Sequence, residues 1–262
     1  MMADFTDKNY WAIVLGASSG LGFASARKLA EHGMNICAIY RSPRSEAEIV
    51  ETNFYEIRKT GVEFLEFNAD AMNSEKQIEI LSKLKMAIGE GKVRVLLHSI
   101  AKGNLKPMTG ENSLSPDDFR TTLDAMAISL YDWTKLLSSA NLFADDARIL
   151  AFTSEGSQKP MSNYAAVSVA KAALEAISRS IALEFASSGI KSNCIQAGVT
   201  DTAAMRRIPG SDDLVTHSIS RNPFKRLTTP EDVANVVYLM AKDEAKWING
   251  TTIQVDGGEH LQ

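Results

Sequence analysis

The chain has 262 residues, 45% of them hydrophobic and 23% charged, with a formal net charge of -4. That length and apolar content suffice for one core, and α/β chains of this size commonly form a single domain. The acidic balance and the scattered basic residues exclude nucleic acid as the main partner, because phosphate binding ordinarily shows as a basic surface. No apolar run reaches the roughly eighteen residues of a membrane span. The start has acids and no basic n-region, so it does not read as a secretory or transit peptide.

The first apolar run, 11–15, passes directly into Gly16-Ala17-Ser18-Ser19-Gly20-Leu21-Gly22 and then a helical pattern over 21–32. Glycines permit the tight turn and let backbone N–H groups approach a pyrophosphate at the positive end of the helix. Alone, such a string reads equally as an ordinary strand–helix turn. At the head of a βαβ alternation it makes Gly16, Ser18, Ser19, Gly20, Leu21 and Gly22 candidate nucleotide contacts.

The second strand, 35–40, ends at Arg41-Ser42. An NAD site usually carries an acid there for the ribose hydroxyls, whereas an arginine suits the 2′-phosphate of NADP. Arg41, with Ser42 and Arg44 in support, therefore predicts NADPH, with NADH the alternative; a solvent-facing strand-end arginine would look the same. A helix over 46–60 and a strand over 62–67 lead to Asp70-Ala71. This pair is placed for the adenine edge, and an Asp there serves equally as a turn or cap.

A helix over 74–88 and a strand over 93–98 follow, the strand ending His98-Ser99-Ile100-Ala101. Ser115-Pro116-Asp117-Asp118, a cap residue with proline and acids behind it, opens a helix predicted over 116–140. The fifth strand, 148–153, runs into Ser154-Glu155-Gly156-Ser157. In the helix over 163–187, Tyr164 and Lys171 stand seven residues apart, almost two turns, and so share one face. A strand over 190–196 precedes the one long irregular stretch, 197–226, which reads as a substrate-binding lid. Thr229-Pro230-Glu231-Asp232 opens a helix over 230–241, and a strand over 252–255 closes the pattern.

Continuous apolar strands alternating with amphipathic helices predict an α/β fold. It is one doubly wound parallel (Rossmann) sheet over residues 1–262, with helices on both faces. Cys37 and Cys194, far apart in apolar contexts, read as buried thiols in a reduced cytoplasm. The four histidines form no ligand pair, so no metal site is expected.

Over essentially its whole length the chain resembles the short-chain dehydrogenase/reductase family, and in particular its enoyl-acyl-carrier-protein reductase branch. Most of the family spaces the catalytic pair as Tyr-x3-Lys; the enoyl reductases use Tyr-x6-Lys, as in Tyr164 to Lys171. His98-Ser99-Ile100-Ala101 is similar to that branch's fourth-strand end, and Asn163-Tyr164 followed by Ala170–Ala176 is similar to its catalytic helix. Val255-Asp256-Gly257-Gly258 is shared by the wider family.

Two positions depart from the pattern. Ser154 stands 17 residues before Lys171, where many enoyl reductases carry a second tyrosine; this resembles the NADPH-using third bacterial type. Ala127-Ile128-Ser129 stands where the family has an asparagine.

The resemblance implies Tyr164, Lys171 and Ser154 as catalytic residues. It implies cofactor contacts from Ser99, Ile100, Ala101 and Lys171, with Val199, Thr200 and Thr202 at the nicotinamide end or capping the next turn. It further implies an enoyl thioester substrate on acyl-carrier protein or CoA, and a homotetramer. Met161, Met205 and Ile208 read either as acyl-channel lining or as core. Arg206, Arg207, Lys225 and Arg226 read either as solvated charges or as a dock for an acidic carrier. A carbonyl or 3-oxoacyl reductase or an alcohol dehydrogenase of the same fold, and a non-catalytic nucleotide sensor, are the alternatives.

Overall fold

The computed structural model describes residues 4–262. Its strands are β1 (Tyr10–Leu15), β2 (Asn35–Tyr40), β3 (Phe64–Asn68), β4 (Lys92–His98), β5 (Phe143–Thr153), β6 (Ile190–Ala197) and β7 (Thr252–Val255). They pair in parallel in the order β3-β2-β1-β4-β5-β6-β7. The order reverses beside β1, and the crevice at the C-terminal ends of β1 and β4 is where such sheets bind ligands.

Alternation along the strands divides the core into two. Trp11, Ile13 and Leu15 face helices α3 (Ser74–Ile88), α5 (Ser129–Ser139) and α6 (Ala165–Glu184), packing with Leu84, Trp133 and Leu174. Ala12 and Val14 face α1 (Gly20–Glu31), α2 (Ala47–Arg58) and α8 (Pro230–Ala241), packing with Leu29, Phe54 and Val237. Burial on both sides explains why these strands read as unbroken apolar runs. Cys37 and Cys194 are both buried and free.

The start signals at Ser115 and Thr229 are real capping boxes: each side chain accepts from the N–H three residues on, and Asp118 and Asp232 reciprocate. The helix predicted over 116–140 is not continuous. It comprises α4 (Pro116–Leu123), a π-helical turn Asp124–Ile128 and α5. Its apolar periodicity survives the insertion, so sequence gave no warning. The stretch expected to be irregular, 197–226, holds a 3₁₀ turn, Met205–Arg207, and an eleven-residue helix, α7 (Ser211–Arg221). The cue for α7 was Ser211-Asp212-Asp213, acids in a first helical turn after Gly210.

Two arginines are wholly buried at the N-terminal edge of the sheet. Arg94 Nε donates to Ala241 O and Arg148 Nε to Met240 O, closing the C-terminal end of α8. Both also pair with Asp146. Among the described residues, no helix is long and apolar enough to cross a membrane.

Candidate active site

A cleft of about 520 Å³ opens along the C-terminal ends of β1, β2, β4, β5 and β6. Gly16, Ser18, Ser19, Gly20 and Leu21 line it, as do Arg41, Ser42, Asp70 and Ala71. So do Ser99, Ile100, Ala101, Ser154, Tyr164, Lys171, Val199, Thr200 and Thr202. Gly22 does not. It lies buried behind the turn, where a Cβ would strike the carbonyl oxygen of Gly16. Its missing side chain lets α1 approach β1, so the correction is from contact to packing residue.

The glycine-rich turn has a geometry that could hold an anion. Gly16 has φ +89, and a Cβ there would strike Ser99 O, so only glycine keeps β1 and β4 this close. The N-cap of α1, Ser19, makes no side-chain cap bond. The first N–H groups of the helix are therefore left for a ligand, as a bound pyrophosphate requires. Ser42 Oγ lies 3.3 Å from Ser18 Oγ, which joins the second strand's end to this turn.

At the β2–β3 end of the cleft the structure links two residues that sequence reading treated separately. Arg41 Nη1 donates to Asp70 Oδ2 at 2.9 Å, and Lys102 Nζ stands 3.7 Å from the same oxygen. Arg44 does not line the cleft. Lys102, four residues past β4, was missed because nothing local distinguishes it from a surface lysine.

At the catalytic end, Tyr164 is the N-cap residue of α6 and Lys171 lies two turns in, both on the cleft side. Asn163 adopts φ 61, a left-handed conformation that Asn tolerates, and this turns Tyr164 towards the cleft. Burial pushes the Tyr164 phenol up, opposed by the adjacent Ser154 hydroxyl, so it stays a neutral hydrogen-bond donor. Ser154 Oγ is buried and makes no hydrogen bond of normal geometry. Lys171 is buried, its Nζ donating to Phe152 O at 2.6 Å; desolvation pulls it down to about 8. A buried ammonium with two further N–H groups to spend fits the hydroxyl-rich ribose of a nucleotide.

His98 lies outside the cleft lining. Its Nε2 stands 2.8 Å from Ser129 Oγ, and that hydroxyl donates to Ala125 O inside the π turn. Burial, with the Lys171 charge nearby, pulls the imidazole down to about 3. It is a neutral strut between β4 and the π turn, at the place where the family asparagine is absent.

The apolar lining of the cleft near Tyr164 includes Met126, Met161, Val167, Met205, Ile208 and Leu214. Met161, Met205 and Ile208 are thus lining residues; Leu214 and Arg221 come from α7, the helix that sequence reading missed. Thr202 Oγ1 accepts from Met205 N, so it also caps the next turn. Arg206 is spent on Asp201 and Asp212, and Arg226 on Asp232, which leaves Arg207 as the cation of that group on the cleft. Arg221 pairs with Glu155, beside Ser154, and at 3.0 Å with the buried Glu259.

Fold and site together define a nicotinamide-dependent oxidoreductase of the Rossmann type. A sequence model of the family described as enoyl-(acyl carrier protein) reductase matches residues 16–260. The chain belongs to the short-chain dehydrogenase/reductase family, in its enoyl-acyl-carrier-protein reductase branch.

The relatives are mixed. One is the 3-oxoacyl-(acyl-carrier-protein) reductase FabG of Staphylococcus epidermidis, 28% identical over 97% of this chain and 100% of that protein. Another is the NADH enoyl-(acyl-carrier-protein) reductase FabI of Bacillus cereus, 28% identical over 95% of this chain and 96% of that one. A crystal structure of the Bacillus cereus enoyl-acyl carrier protein reductase, with NADP+ and an indole naphthyridinone, superposes with a TM-score of 0.84. It is 27% identical and covers 100% of this chain and 99% of that one. Membership implies a nicotinamide dinucleotide cofactor.

Proposed function

We propose that this protein is an NADPH-dependent enoyl-acyl-carrier-protein reductase, saturating trans-2-enoyl thioesters in fatty-acid elongation. The observation that carries this reading is the placement of Tyr164. Its neutral phenol stands at the very start of α6, two turns from Lys171, against an apolar wall. A ketone keeps its developing oxyanion on the atom that accepts hydride. An enoyl thioester develops it on the thioester oxygen, two carbons beyond the β carbon. The donor must therefore stand farther along, and three residues of helix move it by about 5 Å.

When bound, the nicotinamide supplies the hydride. The chain does the rest. The Gly16–Gly20 turn holds pyrophosphate, Asp70 and Ala71 border the adenine, and Arg41 with Ser42 meets the 2′-phosphate. Lys171 donates to the nicotinamide ribose, and Val199, Thr200 and Thr202 border the carboxamide. Ser99, Ile100 and Ala101 wall the cofactor on the β4 side. Tyr164 Oη donates to the thioester oxygen as the enolate forms, and Ser154 assists through the phenol. The methionine-lined wall excludes water from the acyl chain. Exposed Trp247 and Leu183, at 94% and 79%, suit a homotetramer, which sedimentation would test.

A 3-oxoacyl reductase is the second reading, favoured by Ser154 with its free hydroxyl and by the FabG relative. NADPH oxidation with a trans-2-enoyl thioester and with a 3-oxoacyl thioester separates them. The enoyl substrate should give the larger kcat/KM; a larger value for the 3-oxoacyl substrate overturns the proposal.

A further inference from the structure

The turn Glu155–Ser157, between β5 and α6, carries a buried glycine that the backbone does not require. Gly156 is absent from the residues with positive φ, so an L side chain could adopt its conformation. Contact explains the glycine. A Cβ at this position would lie 2.7 Å from Tyr164 Cε1, 3.0 Å from Cδ1 and 3.3 Å from Ser154 Oγ. Carbon atoms attract best at about 3.5–4.0 Å, so even a methyl group would drive the ring away.

Neither partner is free to yield. Behind the ring stand Ala125, Met126, Val167 and Ala170. Its backbone is fixed by Asn163 at φ 61 and by Ser168 N donating to Tyr164 O at 2.8 Å. The turn is anchored too: Glu155 takes bonds from Lys159 at 2.7 Å and from Arg221, and Arg221 is braced on Glu259. Burial would raise the Glu155 carboxyl, but these bonds hold it below its usual range.

We propose that Gly156 is a positioning residue for Tyr164. Its missing side chain lets one ring edge seat on an anchored turn, which fixes how far the phenol hydroxyl reaches into the cleft. The proposal rests on Tyr164 being the oxyanion donor. A donor displaced by about 1 Å can lose 10²-fold in rate, so Gly156→Ala should lower kcat about 10–100-fold. Cofactor Kd should stay unchanged, since the ring does not hold the cofactor.

A double-mutant cycle tests the route. Tyr164→Phe, Gly156→Ala and the double variant are compared in kcat and KM with an enoyl thioester, and in cofactor Kd by fluorescence. Gly156→Ala should cost nothing further once the hydroxyl is gone. Equal losses from Gly156→Ala with and without the hydroxyl overturn the proposal, as does wild-type kcat in Gly156→Ala while Tyr164→Phe is slow. Wild-type kcat in Tyr164→Phe would instead remove Tyr164 itself. Should Gly156→Ala not fold, Arg221→Lys loosens the same turn from outside. It should lower kcat about 3–10-fold, again only when the hydroxyl is present; a loss that persists in the Phe background overturns the proposal.

Discussion

At the N-terminal edge of the sheet, Asp146 accepts from Arg94, Arg148 and Lys191, and Arg94 reaches Asp243 as well. At the C-terminal edge, Ser154 Oγ and His98 Nδ1 are buried with no partner, and Lys171 has one acceptor. Trp11 Nε1, near the start of β1, is the exception to this contrast. Both edges bury charge; the C-terminal edge pairs Arg221 with Glu155 and Glu259 but leaves Lys171 without a carboxylate in contact. Where the paired charges close the end of α8 they serve the fold. Where the groups stay unpaired they keep donors and acceptors for molecules that arrive later.

The largest test of the contrast is to remove the counter-charge at the paired edge. Asp146→Ala leaves Arg148 buried without an anion, and breaking such a pair typically costs about 3–5 kcal/mol. The carboxylate is partly exposed, so the low end is expected. Urea denaturation should show it, while kcat per folded molecule stays at the wild-type value. Burial would raise the Asp146 carboxyl, yet the bonds from Arg148 and Lys191 hold it well below its usual range. This stabilisation is therefore present above the unfolded carboxylate range and fades as pH falls through the lower folded value. A loss under about 1 kcal/mol would show that water does the work credited to the pairs.

At the unpaired edge the opposite sign is expected. Desolvation pulls Lys171 from 10.5 to about 8, a cost to the apo fold of roughly 3 kcal/mol at pH 7. Both folded and unfolded states hold the proton below pH 8, so the cost is constant there. It is relieved as pH rises from 8 to 10.5, where the unfolded chain binds more protons. Lys171→Met should thus be more stable than the wild type at pH 7, with the advantage shrinking towards pH 10. It should also lose cofactor affinity about 10–150-fold, the scale of one charged hydrogen bond. A variant less stable at both pH values would show that the ammonium is already satisfied.

The sequence reveals what local chemistry encodes and hides what distance encodes. Burial on both faces of β1 produces its unbroken apolar run, and Ser115 and Thr229 announce their helices through neighbours three residues away. Tyr164 and Lys171 could be paired because a helix fixes the geometry between them. The π turn at Asp124–Ile128 left no trace, and the contact that meets it joins Ser129 to a histidine 31 residues earlier. Gly156 stood in plain view, but its contact with Tyr164 exists only once β5 and α6 are side by side. Arg221 was lost with α7, although the acids at Asp212 and Asp213 gave its start.

The smallest expected effect concerns Arg41, where the contrast between paired and unpaired charge becomes a competition. Sequence assigns this arginine to the 2′-phosphate, while the structure has it on Asp70 at 2.9 Å, its side chain 66% exposed. An exposed pair of this kind contributes only about 0–1 kcal/mol. A charged hydrogen bond to phosphate contributes about 1.5–3 kcal/mol. The phosphate should therefore displace Asp70 with a reduced net gain, leaving an NADPH preference of roughly tenfold in Kd. Asp70→Asn removes the competitor and releases Lys102 as well, so the preference should widen. Any contact of Asp70 with the adenine is common to both cofactors, so its loss cancels in the ratio. Arg41→Ala should bring the ratio close to one. Titrating NADPH and NADH into the three proteins decides the matter. A ratio that narrows in Asp70→Asn would mean that Asp70 orients Arg41 for the phosphate rather than competing for it, and a wild-type preference for NADH would remove Arg41 from cofactor selection.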